Sequence, residues 1–230
     1  ENRRFNIEGE WFQYGRKQGI LFAQKEKLIA PDISLGSNFA YDIRGEFYST
    51  TTNYGYIKRA NVKESYQFLM AILNSKVMWW YLVNTGTVLA NGYFRFKPDY
   101  LKPFPIPDLS NIENEVSFNI LVDYILLLKA EDEPINEFVP NSHIIQLFEE
   151  VIDAMVFELY FPDDFKKADI KIIEYVQRDF RSIEGLEESD KKEVIHQAYQ
   201  TLREKHNEIR NNLKLMDIRL ADIVMPIKNA

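Results

Sequence analysis

Arg95 and Lys97 alternate with Phe94 and Phe96 in the stretch Tyr93-Phe94-Arg95-Phe96-Lys97. Period-2 alternation marks a strand with one buried face. On that reading Phe94 and Phe96 point to a core, while Tyr93, Arg95 and Lys97 share the opposite face. A face that carries an aromatic ring, a guanidinium and an ammonium suits a polyanion better than a core. Asn91-Gly92 just before it is a turn signal, because both residues tolerate positive φ. Pro98 stops the strand, and Pro103, Pro105 and Pro107 hold the next segment extended with few backbone donors. The same pattern also fits an edge strand decorated with charge against aggregation.

Groups suited to covalent or metal chemistry are scarce. Asp163, Asp169 and Lys171 follow the order of acids and lysine around the Mg²⁺ of a nuclease, but their spacing puts them together on one predicted helix, too tightly for a strand-borne site. His143, His196 and His206 lack metal-ligand spacing, and there is no cysteine to join them. Glu149, Glu150 and Asp153 lie within one turn of each other, the pattern of a solvated helix face, with docking onto a basic neighbouring domain as the alternative. No Gly-rich cofactor loop occurs.

The 230 residues are 46% hydrophobic and 14% aromatic, which describes a folded globular chain of one domain or two small ones. The lack of cysteine excludes disulfides and thiolate metal sites and permits a reducing cytoplasm, which is the location expected. Apolar runs such as Ile125-Leu126-Leu127-Leu128 are far below membrane-spanning length, so no membrane partner is expected. The chain starts at Glu1 with no signal-peptide pattern, which reads as a piece of a larger protein. A net charge of −7 argues against a nucleic-acid partner for the chain taken whole. Its two parts differ, however. Residues 1–107 hold 14 Lys+Arg against 9 Asp+Glu, a balance of +5, and residues 108–230 hold 14 against 26, a balance of −12. That asymmetry points to a division of labour. A surplus of +5 matters only where the positive groups cluster in space.

The elements that must position these groups are strand-rich first and helical later. Lys27 to Pro31 reads as a strand and turn, and Tyr54, Tyr56 and Lys58 alternate as a further strand. Phe39-Ala40-Tyr41-Asp42 and Phe47-Tyr48-Ser49 flank Ile43-Arg44-Gly45-Glu46 as a hairpin with Gly45 in its turn. Residues 63–84 have helical spacing, interrupted at Asn74-Ser75. Trp79-Trp80-Tyr81 cannot share one helical face, so burial on more than one side is expected, as core and not as base-stacking platforms. After Pro107 four helices are expected: a stripe through Val116, Ile120, Tyr124, Leu127 and Leu128; a second over 144–159; a third over 165–180; and a long one over 189–216 with His206 in its seam. The expectation is an α+β protein, with a mixed strand-rich recognition module over 1–107 and an α-helical bundle over 108–230.

The ordered set Lys27-Leu28-Ile29-Ala30-Pro31-Asp32-Ile33-Ser34, Asn38-Phe39-Ala40, Leu73-Asn74-Ser75-Lys76, Gly92-Tyr93-Phe94-Arg95-Phe96 and Pro105-Ile106-Pro107 resembles one family. It looks like the TaqI-like C-terminal specificity domain, the target-recognition domain of type II restriction-modification enzymes and their adenine-N6 DNA methyltransferases. The likeness covers about residues 10 to 107, and the run 148–161 is similar to the helical tail of fused methyltransferase-endonuclease members. The resemblance implies sequence-specific recognition of double-stranded DNA, delivered to a methyltransferase domain elsewhere in a longer chain. It implies S-adenosylmethionine as that domain's cofactor, with Mg²⁺ if a nuclease is fused, and a flipped adenine as substrate. The Asn/Asp-Pro-Pro-Tyr/Phe tetrad of such a methyltransferase is absent here, and the segment shows no catalytic motif of its own.

DNA recognition needs phosphate contacts for affinity and base-edge contacts for specificity. Arginine suits guanine and asparagine suits adenine. By residue chemistry, Arg44, Asn53 and Arg95 are the candidate base readers, and Lys58, Arg59, Lys97 and Lys102 the candidate phosphate contacts. This reading requires the positive groups to meet on one surface. A protein–protein interaction module that uses the acidic helices is the alternative, and a hydrolase assembled from scattered acids is a weaker one.

Overall fold

The computed structural model describes residues 19–48, 52–107 and 112–230. The aromatic run Trp11-Phe12-Gln13-Tyr14 and the end of the expected hairpin at Ser49 lie outside these. A 3₁₀ turn over Ile20–Phe22 leads into β1 (Lys27–Pro31), β2 (Ile33–Ser34), β3 (Ala40–Asp42) and β4 (Asn53–Tyr56). Next come α1 (Tyr66–Asn74), α2 (Lys76–Thr85), β5 (Phe94–Arg95) and the single turn α3 (Pro98–Leu101). The rest is helical: α4 (Ile112–Ala130), α5 (Asn141–Tyr160), α6 (Pro162–Lys167), α7 (Ile173–Asp179), α8 (Glu188–Arg203), α9 (Glu208–Arg219) and α10 (Ala221–Lys228). The architecture is α+β with a helical C-terminal part, as the residue pattern indicates.

β1 is the centre of a three-stranded antiparallel sheet, ordered β3-β1-β4. Leu28 stands opposite Tyr41 on one side and Tyr56 on the other, and Ala30 stands opposite Tyr54. Alternation therefore gives these residues one shared face. That face packs on α1, where the Tyr41 and Tyr66 rings lie 5.4 Å apart. A second sheet pairs β2 with β5, Ile33 opposite Arg95 and Ser34 opposite Phe94. Phe39 joins the sheets, with its ring 5.7 Å from Tyr56 and 6.0 Å from Phe96.

The expected hairpin around Gly45 does not form. After β3 the chain wraps around the Asp42 carboxylate, whose oxygens accept the Glu46 N–H at 2.9 Å and the Phe47 N–H at 3.0 Å. Phe47 and Tyr48 are left exposed and unpaired to a strand. Backbone donors that a hairpin would use are thus taken by a side chain. The Asn74-Ser75 interruption is real. Ser75 is extended, its hydroxyl donates to the Ile72 carbonyl at 2.7 Å and accepts the Met78 N–H at 3.3 Å, so one residue ends α1 and caps α2.

One apolar interior runs through both parts of the chain. Phe68 of α1 and Phe118 of α4, both fully buried, meet edge to face at 5.2 Å. Tyr124 packs its ring 5.5 Å from Phe148 and its hydroxyl donates to the Arg181 carbonyl at 2.5 Å. Trp79 packs on Phe94 at 5.4 Å and Tyr81 on Phe104 at 5.1 Å, so these two are partly buried on two sides of α2, whereas Trp80 between them is exposed and does not join the core as expected.

Two helical expectations are corrected. The span 165–180 is not one helix: α6 stops, Asp169 takes a φ of 51°, and α7 begins at Ile173. The Glu158 carboxylate seats the start of α7 by accepting the Ile172 and Ile173 N–H groups at 2.9 Å. The span 189–216 also breaks, at 204–207, because the Asn207 side chain caps α9 through the Arg210 N–H at 2.9 Å. His206 is exposed in that break and belongs to no seam. Among the described residues, 112–230 therefore holds seven helices in place of four.

Candidate nucleic-acid interface

The chain leaves β1 at Pro31, and Asp32 turns it into β2. The Asp32 carbonyl accepts the Phe96 N–H at 2.8 Å, which locks β5 against this corner. The Tyr54 hydroxyl donates to the Asp32 carboxylate at 3.1 Å. Burial, and then that hydrogen bond, raise the Tyr54 phenol's pKa, while the Arg95 guanidinium pulls it the other way. Tyr56 reaches the same place, its hydroxyl donating to the Phe96 carbonyl at 2.8 Å. Tyr54, Tyr56 and Asp32 thus hold β5 in place from behind.

Arg95 is half-buried, and its Nε has no hydrogen-bond partner. That Nε is buried, so it is the Nη groups of this half-exposed side chain, which make no hydrogen bond within the fold, that are open to an acceptor from outside. Exposed apolar side chains flank it. Ile33 is opposite it in the ladder, Tyr93 is two residues away, and Leu35 and Val88 are open to solvent. Val88 bridges to Phe94, and Gly92 sits beside Leu35, so the loop before β5 packs this group together. Asn91 at φ 62° and Gly92 at φ 78° form the turn that their types indicate.

Lys97 lies two residues beyond Arg95 along extended chain, caps α3 with its backbone, and has a half-buried side chain. Lys102 pairs with Asp99 at 3.3 Å at the exposed end of α3. Asn53 stands opposite Pro31, at the same end of the sheet as Arg95. Arg44, Lys58 and Arg59 are at the other end. Arg44 follows Asp42, which pairs with Lys27, and Lys58 follows Tyr56, which pairs with Leu28. At about 3.3 Å per residue the two ends of β1 are roughly 13 Å apart. The positive groups therefore form two sets, not one. Arg44 is exposed and pairs with Glu46 at 3.1 Å. Lys58 is engaged within the fold, donating to the Glu64 carbonyl at 2.7 Å with its ammonium 4.8 Å from the Tyr66 ring centre. Arg59 is exposed.

The residues that the sequence did not single out are the exposed apolar ones, Ile33, Leu35 and Val88. The only signal was a break in alternation after Pro31-Asp32, too short to assign a face. Asn38, by contrast, is occupied in its own loop, donating to Ser34 Oγ at 2.6 Å and the Gly36 carbonyl at 3.2 Å.

Among the described residues no three His, Asp or Glu side chains gather as a metal site. Asp163 lies in α6, Asp169 beyond it, and Lys171 pairs with Glu174 at 2.8 Å, so the nuclease-like order does not become a cluster. Asp153 does not sit on a merely solvated face: its carboxylate accepts the Lys76 N–H at 2.8 Å and holds the first turn of α2. No helix among the described residues is long and apolar enough to cross a membrane. No curated protein matches the chain. The family model of the TaqI-like C-terminal specificity domain matches residues 3–106, which takes in both sheets and α1 to α3 and ends before α4.

Proposed function

We propose that the chain recognises a site on double-stranded DNA, as the specificity segment of a restriction-modification enzyme that methylates adenine. In this reading residues 1–107 are the recognition module and residues 108–230 a helical C-terminal domain that braces it through α1 and α4. The observation that carries the reading is Arg95: an uncommitted guanidinium on a sheet edge, rimmed by exposed apolar side chains, inside the stretch that matches a specificity domain. Arginine forks onto guanine O6 and N7, and apolar side chains meet the thymine methyl. Ile33, Leu35, Val88 and Tyr93 supply such contacts.

Arg44 and Asn53 join Arg95 as base readers, and Arg59, Lys97 and Lys102 as phosphate contacts, with Lys58 joining them only by giving up the Glu64 carbonyl. The two sets, beyond opposite ends of a strand about 13 Å long, give two separate grips on a duplex. Methyl transfer belongs to a methyltransferase domain of the same longer chain, with S-adenosylmethionine as its cofactor, and Mg²⁺ if a nuclease is fused. No step of that chemistry is routed through the residues described. Selection from a random duplex pool, followed by sequencing of the bound fraction, tests the reading. One short enriched motif is expected. Absence of binding at low salt, or binding with no enriched motif, would sink it.

A further inference from the structure

The helical half carries 26 Asp+Glu against 14 Lys+Arg, and three of the cations that are in no ion pair meet at one cleft. Lys129, Lys171, Arg178, Lys191 and Lys192 are each paired with a carboxylate. Arg203, Arg210 and Lys214 are in no ion pair, and all three line a cleft of about 740 Å³ between α5, α8, α9 and α10. Lys76, at the start of α2, completes the wall. The Arg210 guanidinium donates to the Arg203 carbonyl at 3.1 Å, which ties the end of α8 to α9. Arg210 and Lys214 are one turn apart on α9, about 6 Å.

The three carboxylates on this cleft do not cancel it. Asp217 is taken by Lys228 at 2.6 Å, which leaves Glu150 and Asp153 against the four cations Lys76, Arg203, Arg210 and Lys214. The acidity of the rest of the helical half acts weakly here, because salt screens exposed charges beyond about 8 Å. Leu147 and Leu213 give the floor apolar patches between the charges. Cations brought to one cleft from α2, α8 and α9 suit a strand with repeated charge better than one compact anion.

We propose that this cleft holds the sugar-phosphate backbone of the DNA beyond the bases read at Arg95. The proposal rests on the DNA-recognition reading and adds a second contact region, on the part of the chain whose charge argues against one. The test measures binding of a 30-base-pair duplex, about 100 Å long at 3.4 Å per pair, by the full chain and by the triple variant Arg203→Gln, Arg210→Gln, Lys214→Gln. Each lost phosphate contact flattens the plot of log K against log salt by about 0.9, so a change of about 2 to 3 is expected. The enriched motif should be unchanged, because the base readers are untouched. Lys214→Gln alone, at an exposed position, should give a change of about 0.9 should the triple variant fold poorly.

An unchanged slope in a variant that melts like the parent would overturn the proposal and leave DNA recognition standing. Failure of the parent to bind any duplex would overturn both. Binding of fluorescent oligoglutamate by the parent, lost in the variant while the duplex slope stays the same, would assign the cleft to an acidic protein segment and overturn the proposal as well.

Discussion

Lys27 and Asp42 are directly opposed in the β1–β3 register and form an ion pair with only 2% and 4% of their surface exposed. The Lys27 ammonium also donates to the Ala23 carbonyl at 2.6 Å and the Lys25 carbonyl at 3.3 Å. This lysine ties the 3₁₀ turn, β1 and the loop after β3 into one unit. It is the first residue of the family-like run and is unavailable to any ligand.

Removing one partner leaves the other charge buried. Lys27→Met should therefore cost about 3–5 kcal/mol in urea unfolding, far more than an exposed pair. A loss below about 1 kcal/mol would show that water reaches the pair. The pH dependence has a definite sign. Burial opposes ionisation of Asp42, but Lys27 and the two backbone N–H donors outweigh it and hold the carboxyl below its ordinary value. Its contribution is fully present above the unfolded pKa of about 3.9 and is lost as pH falls through the lower folded value. Asp42→Asn should remove that part of the acid limb.

Gly45 closes the same unit. Its φ is +66°, and a Cβ there would lie 2.3 Å from the Gln24 carbonyl oxygen. Gly36 also has a positive φ, +88°, but open space around it. Gly45→Ala should destabilise by well over the ~1 kcal/mol expected of Gly36→Ala, since it adds a backbone clash to the strained dihedral. Thermal melting of the two variants side by side checks this. Equal shifts would mean that residue 24 yields freely.

The short-range part of this fold is legible in the residues, and the long-range part is not. A short apolar run places β1, alternation places β4 and the buried Phe94 and Phe96, and Asn74-Ser75 marks the α1–α2 break, because each depends on neighbours in sequence. The loop after β3 misleads because Asp42 takes donors four and five residues away, and nothing in Ile43-Arg44-Gly45-Glu46 announces that. Asp153 is read as a solvated acid for the same reason, and Glu158 draws no reading of its own. They seat helix starts 14 and 77 residues distant in sequence. Of the candidate site, the Arg95 face follows from period alone, whereas its apolar rim and the split of the cations depend on which strands pair.

Asp153 gives a prediction of opposite sign to Asp42. Burial pushes its pKa up to about 6, against the pull of the Lys76 N–H and charge, with Glu149 adding to the rise and Lys228 opposing it. The folded state then holds a proton that the unfolded chain has released, so stability falls as pH rises from about 4 to about 6. Asp153→Asn keeps an oxygen for the Lys76 N–H and removes the titration. It should flatten that slope and stabilise the protein at pH 7 by on the order of 2 kcal/mol. Urea midpoints across that range measure it, and an unchanged slope would place the titration elsewhere.

Arg95 and Lys97 lie on one extended face but should fail differently. The Arg95 side chain makes no hydrogen bond or ion pair within the fold, so Arg95→Ala should leave the melting temperature nearly unchanged. Losing a guanidinium fork on a base costs about 1–3 kcal/mol of discrimination, so the selected motif should degenerate at one position. Arg95→Lys should not restore it, because an ammonium lacks the planar pair of donors. Lys97→Ala should instead weaken every duplex alike and flatten the salt dependence by about 0.9. The same random-pool selection and a salt titration read both effects. If both variants select the parent's motif with the parent's salt slope, the β5 edge does not touch DNA, and the exposed apolar rim around Arg95 is a contact for protein.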